Sequence, residues 1–588
     1  MPEPAHLAGT ASSAPLTANP ATDAAMALLL ELVRSGLRHV VLSPGSRSQA
    51  LALVAAELER IGAVELHVRI DERVGGFLAL GLAAESGRPA AIITTSGTAT
   101  ANLLPAVLEA HHSNVPMIVL TADRPTQLRG IRSNQTTVQA GMYGAAVRRA
   151  LDVDAPNGAD GETDVYTRLA AQAWSAALDD AGPVHLNLAF REPLSVAVPN
   201  LADAVAAPTK PAPEVIVPRI PLGRPHRTLE PGIRTVVIAG NAAGPAAEEL
   251  ARAGGWPLIA EASSGSRFGP NLVVAYRELL REPEFGGAVE RAVVFGHPTL
   301  SREVPALLLR DDVEVIVVAP VGDEVYDPAR SATVVASVDA GDADPRHGDA
   351  RAWTGRWVFA SRSLLKDRAE PSPDEIAPDI EAGRSHSPQQ RIAFAKAEFA
   401  AVRAPVTRRM LADALWRFTW PHDRLVLGAS RLIRELDATV PGKRIDVHAN
   451  RGLAGIDGTI STAIGIALAA QPPGANAPHG TTRALLGDLA LLHDVGALLF
   501  GEGERRPTVQ IVVGNDGGGT IFDSLEVASS APADALRRVL TTPQNADLQA
   551  LAQAYGWSYR RATTRGELDQ ALSAPPEGTS IVEVPLSR

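Results

Sequence analysis

The sequence contains no cysteine, which excludes disulfides, thiolate metal sites and cysteine nucleophiles. Lysine is also scarce: among 55 basic residues the only lysines are Lys210, Lys366, Lys396 and Lys443. The simplest interpretation of this bias is a genome rich in G and C. Arginine is nevertheless the better bidentate partner for carboxylates, so the bias matters for any anionic ligand that the chain binds.

Long apolar runs are absent as well. No run approaches the roughly 20 residues that a membrane-spanning helix needs. The first 18 residues are rich in Ala, Pro, Ser and Thr without a basic start or an apolar core, so they predict a flexible tail rather than a secretion signal. A net charge of −11 argues against nucleic acid and anionic membranes as partners. Together these features predict a cytoplasmic protein.

What is present indicates a soluble globular protein with more than one core. The chain has 588 residues, of which 45% are hydrophobic and 21% charged, and this length is too great for a single core. Strand-like and helix-like segments alternate, which predicts parallel sheets covered on both faces by helices. We therefore expect an α/β protein with three doubly wound parallel-sheet domains.

Polar, proline-bearing segments separate the expected domains and are typical of linkers. The predicted divisions are a flexible tail (1–18), an N-terminal domain (19–198), a linker (199–231), a central α/β domain (232–366), a second linker (367–404) and a C-terminal domain (405–588). The predicted strands are 39–42, 65–68, 90–94, 117–121, 235–239, 292–295, 314–319, 333–338, 484–486 and 508–513. The predicted helices of the first domain include 49–60, 74–84 and 99–111. The first and third domains are expected to share an architecture.

Two neighbouring strands predicted in the C-terminal domain end in oxygen-bearing side chains. Asp488 follows the first strand, Asn515 follows the second, and a glycine run at 517–519 comes next. The strand–helix–strand order makes the strands parallel neighbours, so their carboxyl ends meet at one edge of the sheet, where open α/β sheets bind ligands. Carboxylate, amide and backbone oxygens suit Mg²⁺ that keeps open positions for phosphate oxygens. The alternative is an ordinary turn at a strand end.

This stretch resembles the cofactor motif of thiamine-diphosphate enzymes, which begins Gly-Asp-Gly and ends Asn-Asn. Leu489 replaces the glycine at the third position and Gly514 replaces the first asparagine, whereas Asp488 and Asn515 are retained. The resemblance implies thiamine diphosphate with Mg²⁺, or alternatively Mn²⁺, as cofactors. It also implies that the N-terminal domain binds the pyrimidine and that the C-terminal domain binds the diphosphate and its metal. The implied cofactor-binding residues are Glu72, Ile456, Asp488, Asn515, Gly517 and Gly518, of which Asp488, Asn515 and Gly517 hold the metal.

Glu72 is the expected catalytic residue. It lies in the segment RIDERVGG between a predicted strand and a predicted helix, where the simplest interpretation is an acid that stabilises a helix N-terminus. The resemblance implies instead that its buried carboxyl hydrogen-bonds a ring nitrogen of the cofactor's aminopyrimidine. Burial would keep the pKa of this carboxyl high enough for it to share that proton.

Six motifs distributed over nearly the whole chain narrow the resemblance. They are SPGSRS (43–48), TADRP (121–125) followed by Asn134-Gln135, GASRLIRELD (428–437), ANRGLAGIDGTIST (449–462), GDLALLHD (487–494) and NDGGGTIF (515–522). Together they resemble the carboligases of menaquinone biosynthesis. These are thiamine-diphosphate enzymes that decarboxylate 2-oxoglutarate and add the resulting carbanion to isochorismate.

The narrower resemblance implies a set of substrate-binding residues, namely Ser46, Arg47, Arg124, Gln135, Arg302, Ser430, Arg434, Arg451 and Phe522. Both substrates are dicarboxylates, and arginine binds carboxylates through paired charge-assisted hydrogen bonds. For any single arginine in so arginine-rich a chain, the alternative is a surface charge. Two positions depart from the expected pattern, since Ser301 stands where a lysine is expected and Thr520 looks like an extra residue.

The resemblance further implies a homodimer or a dimer of dimers with shared active sites. Two other functions remain open on the sequence. One is another thiamine-diphosphate 2-oxoacid decarboxylase, similar to acetolactate synthase, and the other is a non-catalytic nucleotide-binding protein with the same fold. Residues 240–244 do not form a GxGxxG fingerprint, so we interpret that glycine-bearing turn as structural.

Overall fold

The chain folds into two compact units. A computed structural model describes residues 16–206, 223–322, 324–342, 348–368, 380–474, 480–574, 576 and 578–588. The first unit consists of Met1–Pro221 together with Leu499–Arg505, and the second of Leu222–Leu498 together with Arg506–Arg588. The predicted tail lies mostly outside the described residues. Within the described ranges, no helix combines the length and the apolar character needed to cross a membrane.

The first unit is built on a parallel sheet with the strand order β2-β1-β3-β4-β6-β5. Its strands are β1 (His39–Leu42), β2 (Glu65–Val68), β3 (Ala90–Thr94), β4 (Met117–Asp123), β5 (Arg149–Val153) and β6 (Pro183–Ala189). Its helices are α1 (Pro20–Ser35), α2 (Gln49–Arg60), α3 (Glu72–Ser86), α4 (Thr98–Asn102), α5 (Leu104–His112), α6 (Glu162–Asp179) and α7 (Ala202–Ala206). Strands β3, β4 and β6 are buried along their whole length, as expected where helices cover both faces of a sheet.

The second unit contains two larger parallel sheets and one short strand pair. Its strands are β7 (His226–Thr228), β8 (Thr235–Ala239), β9 (Leu258–Ala260), β10 (Arg291–Phe295), β11 (Glu314–Val318), β12 (Thr333–Val335), β13 (Ser337–Asp339), β14 (Arg424–Leu427), β15 (Asp446–His448), β16 (Thr482–Gly487), β17 (Val509–Asn515), β18 (Ser558–Arg561) and β19 (Thr579–Pro585). The central sheet has the order β12-β11-β10-β8-β9, and the C-terminal sheet has the order β15-β14-β16-β17-β19-β18. Strand β13 pairs with β7.

Helices flank both of these sheets. They are α8 (Ala246–Gly254), α9 (Tyr276–Leu279), α10 (Glu303–Leu308), α11 (Gly348–Arg368), α12 (Ile380–Arg384), α13 (Pro388–Arg403), α14 (Arg408–Phe418), α15 (Arg431–Thr439), α16 (Thr459–Ala470), α17 (Asp488–His493), α18 (Val527–Ser530), α19 (Ala533–Leu536), α20 (Leu548–Ala554) and α21 (Arg565–Ser573).

The sheet of the first unit and the C-terminal sheet of the second share one strand order. When the strands of each sheet are numbered along the chain, both orders are 2-1-3-4-6-5, and the central sheet follows the same scheme as 2-1-3-4-5. In each sheet the chain changes its winding direction after the second strand, so the carboxyl ends of the first and third strands flank a crevice of the kind that binds ligands. These orders confirm the predicted α/β fold class. They also confirm that the sheet of the first unit and the C-terminal sheet share an architecture.

Two segments that are each predicted as a single element form two elements in the structure. The predicted strand 333–338 is in fact β12 and β13, because the chain leaves the central sheet at Ala336, whose N–H donates to the carbonyl oxygen of Pro225 at 2.9 Å. The predicted helix 99–111 is in fact α4 and α5. Pro105 lies in the first turn of α5 and has no N–H with which to continue α4.

The predicted linkers are only partly described. The first includes α7 and β7, and the second includes α12 and α13. Residues 207–222 and 369–379, which belong to these linkers, lie outside the described ranges. The domain boundaries therefore stay a prediction.

A buried ion pair holds the segment Leu499–Arg505 within the first unit. The carboxylate of Glu504 accepts hydrogen bonds from the backbone N–H of Val68 and from the guanidinium of Arg69, both at 2.6 Å. The guanidinium of Arg69 also lies over the ring of Phe500, 5.1 Å from the ring centroid. The side chains of Arg69 and Glu504 are 3% and 10% exposed, so water screens their attraction only weakly.

Glu504→Ala should destabilise the first unit by about 3–5 kcal/mol, because it leaves the buried charge of Arg69 without this carboxylate. Thermal unfolding followed by intrinsic fluorescence measures the change. The matched control is Glu502→Ala, two residues earlier, where the side chain is exposed and the substitution should have little effect. Equal unfolding temperatures for Glu504→Ala and the wild type would contradict the assigned role.

Candidate active site

Asp488 and Asn515 lie level with each other at one edge of the C-terminal sheet. Strands β16 and β17 are parallel neighbours, and Gly487 stands opposite Gly514 in their register. Asp488 follows Gly487 and Asn515 follows Gly514. The two oxygen-bearing residues therefore come at the carboxyl ends of adjacent strands, as the sequence predicts.

The carboxyl of Asp488 is held largely out of water. Asp488 is 4% exposed and begins α17. Burial raises the pKa of its carboxyl, and the negative charge of Asp516 adds to this effect, whereas hydrogen bonds from the backbone N–H groups of Leu489 and Gly518 lower it. A nearby cation would favour the ionised carboxylate and offset its burial.

Glu583 orients the side-chain amide of Asn515. The Nδ2 group of Asn515 donates to Oε1 of Glu583 at 2.8 Å, so the amide oxygen turns the other way and accepts from the N–H of Gly517 at 3.4 Å. Glu583 in turn accepts a hydrogen bond from the hydroxyl of Tyr559. An outer partner of this kind fixes which atom a ligating side chain presents, and here that atom is oxygen.

The glycine run after β17 has a backbone that glycine alone adopts readily. Gly517 and Gly518 have φ angles of +75° and +119°. A Cβ on Gly518 would lie 2.2 Å from the carbonyl oxygen of Thr541, whereas the space around Gly517 is open. Backbone groups in such a turn can approach a metal or a phosphate closely. With Asp488 and Asn515 they form the all-oxygen set that a hard cation such as Mg²⁺ requires, so these residues fit the expected metal–diphosphate site.

Thr520 is an integral part of this turn. Its hydroxyl donates to Oδ2 of Asp516 at 2.5 Å, and Arg408 donates to the same oxygen at 2.8 Å. Thr520 is 3% exposed and begins a 3₁₀ turn that carries the half-buried Phe522. These hydrogen bonds fix Asp516 and Thr520, the residues on either side of the glycine run. That Thr520 is an insertion relative to the family pattern stays a prediction.

Glu72 is the first residue of α3 in the first unit. Its neighbour Asp71 caps this helix by accepting from the backbone N–H groups of Arg73 at 2.9 Å and Val74 at 3.4 Å. The carboxylate of Glu72 accepts from Nδ2 of Asn102 at 3.3 Å, and the residue is half-buried in the single chain. Because Asp71 provides the cap, the start of the helix does not depend on the carboxyl of Glu72.

Arg124 and Gln135 belong to one hydrogen-bond network. Arg124 is 8% exposed, and its Nη1 donates to Oγ of Ser96 at 2.7 Å and to the carbonyl oxygen of Gln135 at 2.5 Å. The Nε2 group of Gln135 donates back to the carbonyl oxygen of Ser96 at 3.0 Å. The network joins the carboxyl ends of β3 and β4 to the loop that contains Gln135.

The guanidinium of Arg47 reaches the neighbourhood of Arg124. Burial lowers the pKa of Arg124, the positive charge of Arg47 lowers it further, and Asp123 opposes both effects. The Nη1 group of Arg47 donates to the carbonyl oxygen of Phe190 at 3.2 Å. The exposed Ser46 precedes Arg47 in the same turn after β1. Two guanidinium groups held close together favour an anionic ligand such as a carboxylate.

Ser430 and Arg434 lie at the start of α15 in the second unit. The Oγ of Ser430 caps the helix by accepting from the N–H of Leu432 at 3.1 Å, and the Nη1 of Arg434 donates to the carbonyl oxygen of Ser430 at 3.1 Å. Partial burial lowers the pKa of Arg434, the charge of Arg277 lowers it further, and Glu261 opposes them. This arginine is thus also near a second positive charge.

Arg451 and Arg302 differ sharply in their surroundings. Arg451 is 3% exposed, and it donates from Nε to Oγ1 of Thr299 at 2.9 Å and from Nη2 to the carbonyl oxygen of Thr299 at 3.2 Å. Arg302 is 77% exposed and faces the equally exposed Glu526 at 3.4 Å. Ser301 stands in place of the expected lysine, and its Oγ accepts from the N–H of Val304 at 3.4 Å at the start of α10.

Ile456 lies in the loop between β15 and α16. It is 38% exposed, and the nearby Leu453 is 53% exposed. Ile456 is therefore accessible to a ligand from solvent.

The predicted site residues divide between the two units. The first unit holds Ser46, Arg47, Glu72, Arg124 and Gln135. The second holds Arg302, Ser430, Arg434, Arg451, Ile456, Asp488, Asn515, Gly517, Gly518 and Phe522. Sequence reasoning missed Ser96, Glu261, Thr299 and Glu583. The first three follow strand ends, which is the signal that could have found them, whereas Glu583 lies inside β19 and carries no such signal.

Outside these groups, His39, Glu65 and His67 bring their ligand atoms within 4.8 Å of one another. The Nδ1 of His39 is 3.5 Å from Nε2 of His67 and 3.6 Å from the carboxylate of Glu65. Glu65 already pairs with Arg505 at 2.7 Å, and Arg505 adds to burial in lowering the pKa of both histidines. Surroundings this positive disfavour a cation. We therefore interpret the three residues as polar contacts between the neighbouring strands β1 and β2.

Comparison with known proteins gives a consistent answer. Residues 22–145 match the family described as thiamine pyrophosphate enzyme, N-terminal TPP binding domain. The chain is 63% identical over 603 residues, covering 100% of both chains, to a 2-succinyl-5-enolpyruvyl-6-hydroxy-3-cyclohexene-1-carboxylate synthase of Leifsonia xyli subsp. xyli. It is 60% identical, over 98% of both chains, to a protein of the same name from Clavibacter michiganensis subsp. michiganensis. In Kineococcus radiotolerans the identity is 44%, over 97% of this chain and 96% of the relative.

Asp488→Ala should weaken the binding of Mg²⁺ and of thiamine diphosphate together, by at least about tenfold, because one carboxylate holds the metal that holds the diphosphate. Isothermal titration calorimetry with and without Mg²⁺ measures both affinities. Asp523→Ala is the control, since Asp523 lies in the same unit but pairs with Arg588. Unchanged cofactor affinity in Asp488→Ala would show that the metal lies elsewhere.

Proposed function

The chain belongs to the family of 2-succinyl-5-enolpyruvyl-6-hydroxy-3-cyclohexene-1-carboxylate synthases, and from this membership we propose that it is the thiamine-diphosphate-dependent carboligase of menaquinone biosynthesis. It decarboxylates 2-oxoglutarate and adds the remaining four-carbon unit to isochorismate, releasing CO₂. The observation that carries this proposal is the identity of 63% over the full length of both chains.

The arginines support a function with dicarboxylate substrates. Arg47 and Arg124 lie close together in the first unit, and Arg434 lies near Arg277 in the second. Each pair concentrates positive charge, which favours a carboxylate ligand. Arg124 is 8% exposed, so water screens the first pair only weakly, whereas Arg434 is exposed. The residues that we assign to substrate binding are Ser46, Arg47, Arg124, Gln135, Arg302, Ser430, Arg434, Arg451 and Phe522.

The residues around the C-terminal sheet edge suit the cofactor. Asp488, Asn515 and Gly517 would hold Mg²⁺ through oxygen atoms, and Gly518 would present backbone to the diphosphate. When bound, thiamine diphosphate supplies the electron sink for the carbanion that decarboxylation leaves. Glu72 would share a proton with a ring nitrogen of the aminopyrimidine. The apolar side chain of Ile456 would pack against the cofactor and support its bound conformation.

We propose that two copies of the chain share each active site, in a homodimer or a dimer of dimers. The first unit leaves several large apolar side chains at its surface: Ile70 is 74%, Ile131 66% and Val138 81% exposed. Ile70 lies two residues before Glu72. Exposed apolar side chains of this kind are suited to burial in an isologous contact between two copies. In such a dimer Glu72 would meet Asp488 of the partner subunit.

An assay of product mass tests the proposed reaction. The protein is supplied with Mg²⁺, thiamine diphosphate and 2-oxoglutarate, with and without isochorismate, and a parallel arm supplies pyruvate in place of 2-oxoglutarate. We expect the coupled fourteen-carbon product only when both substrates are present. Coupling of pyruvate alone would instead favour a reaction of the acetolactate-synthase type. No product, together with no cofactor binding, would favour a non-catalytic protein.

Glu72→Gln should lower kcat by about 100-fold or more, the range for losing a general acid–base group, while the affinity for thiamine diphosphate stays near that of the wild type. Steady-state kinetics and calorimetry measure the two quantities. Glu85→Gln on the same helix is the matched control and should keep wild-type turnover. Near-full activity in Glu72→Gln would remove Glu72 from the catalytic role.

A further inference from the structure

Glu261 is a buried acid that the proposed reaction does not use. It follows β9 in the central sheet and is 1% exposed. Its Oε1 accepts hydrogen bonds from the backbone N–H groups of Thr299 at 2.7 Å and Leu300 at 2.6 Å. Its Oε2 is buried and has no hydrogen-bond partner among the described residues. The carboxyl therefore holds one short turn of backbone with a single oxygen.

Two arginines hold the same turn from other directions. Arg451 donates to both the side chain and the carbonyl oxygen of Thr299. The Nη2 of Arg277 donates to the carbonyl oxygen of Leu300 at 3.1 Å and to Asp437 at 2.5 Å. Three ionisable side chains, those of Glu261, Arg277 and Arg451, thus converge on two consecutive residues. That degree of fixation is unusual for a surface loop, since loops are ordinarily among the more mobile parts of a protein.

The position of the turn sets the positions of two residues assigned to substrate binding. Arg451 donates two hydrogen bonds to Thr299, so a shift of Thr299 would disturb the position of its guanidinium. Arg302 comes three residues after Thr299, at the start of α10. A displaced turn would therefore misplace both arginines at once.

We propose that Glu261 is a positioning residue, which fixes Arg451 and Arg302 relative to each other for a substrate carboxylate by holding the turn at Thr299 and Leu300. The inference rests on the proposed function, because that function assigns the two arginines to substrate binding. Glu261 acts through the backbone of the turn.

The charge state of Glu261 supports this role. Burial raises the pKa of Glu261 to about 8, with a further contribution from the charge of Asp437, while its two backbone hydrogen bonds and Arg451 act in the opposite direction. Below that pH a neutral carboxyl can bind both amides without neutralising Arg451. Above it, the ionised carboxylate would compete with a substrate carboxylate for nearby arginines.

Several charged or titratable groups surround this carboxyl, namely Arg267, Tyr276, Arg277, Tyr326, Arg434, Asp437 and Arg451. The arginines remain charged throughout the accessible pH range. Burial raises the pKa of both tyrosines above 10. Glu261 is therefore expected to change charge near pH 8, where these arginines and tyrosines do not.

Glu261→Ala and Glu261→Gln separate positioning from a purely structural role. Alanine removes the acceptor, so we expect the KM of one or both substrates to rise by about tenfold or more with a much smaller change in kcat. Glutamine keeps an oxygen acceptor without a charge, so it should restore most of the affinity at pH 7. In the wild type KM should rise as pH passes 8, because Glu261 then ionises, and Glu261→Gln should lose this rise.

Hydrogen exchange gives a measure that does not depend on activity. The amides of Thr299 and Leu300 should exchange faster in Glu261→Ala than in the wild type and in Glu261→Gln. Glu248→Gln is the matched control, since Glu248 is a buried glutamate of the same unit that pairs with Arg252 and not with the turn. It should leave KM, the pH profile and these amides unchanged.

The outcomes separate the inference from the function on which it rests. Wild-type KM in Glu261→Ala, or a loss confined to kcat, would overturn the positioning role, and so would an equal effect in Glu248→Gln. If the wild type forms no coupled product, the proposed function fails, but the exchange of the Thr299 and Leu300 amides still tests whether Glu261 holds the turn. If Glu261→Ala does not fold, the pH profile of Glu261→Gln decides alone, and a retained rise above pH 8 overturns the inference.

Discussion

The parallel pairing of β16 with β17, with Gly487 opposite Gly514, is the constraint on which the candidate metal site depends. Side chains alternate between the faces of a sheet, so a slip of one residue would turn Asp488 and Asn515 away from each other. A Cβ on Gly514 would lie 2.7 Å from Cδ1 of Leu432. At the position where the thiamine-diphosphate motif has its first asparagine, a side chain in this protein would therefore require Leu432 to shift.

In each of its two units, the protein holds charged groups in surroundings that disfavour their charge. Burial raises the pKa of Asp488 and lowers the pKa of Arg124 and Arg434. A ligand of opposite charge would stabilise the charged form of each group. That ligand is a divalent cation at Asp488 and a carboxylate at the arginines. The same reasoning explains why Glu261 suits its place: a carboxyl that is neutral near pH 7 can hold backbone amides beside Arg451 without consuming its charge.

Much of this arrangement could be predicted from the sequence, because parallel strands appear as short apolar runs and ligand residues follow their carboxyl ends. The predicted strands 484–486 and 508–513 fall within or overlap β16 and β17, and Asp488 and Asn515 stand at the expected level. The bond from Thr299 to Glu261 could not be predicted, since it depends on which strands neighbour each other in the central sheet. Periodicity of apolar residues does not contain that information. The predicted strand 333–338 failed for the same reason, because its two halves pair in different sheets.

The central claim is that catalysis needs Glu72 from one copy of the chain and Asp488 from another, and co-expression of Glu72→Gln with Asp488→Ala tests it most directly. In a mixed dimer one site carries both substitutions and the other carries neither. Random pairing makes half of the dimers mixed, each with one intact site of two, so about a quarter of wild-type activity should return. If both residues of a site came from one chain, every site would carry a substitution. An inactive mixture, with mixed dimers confirmed by mass, would contradict the shared-site account.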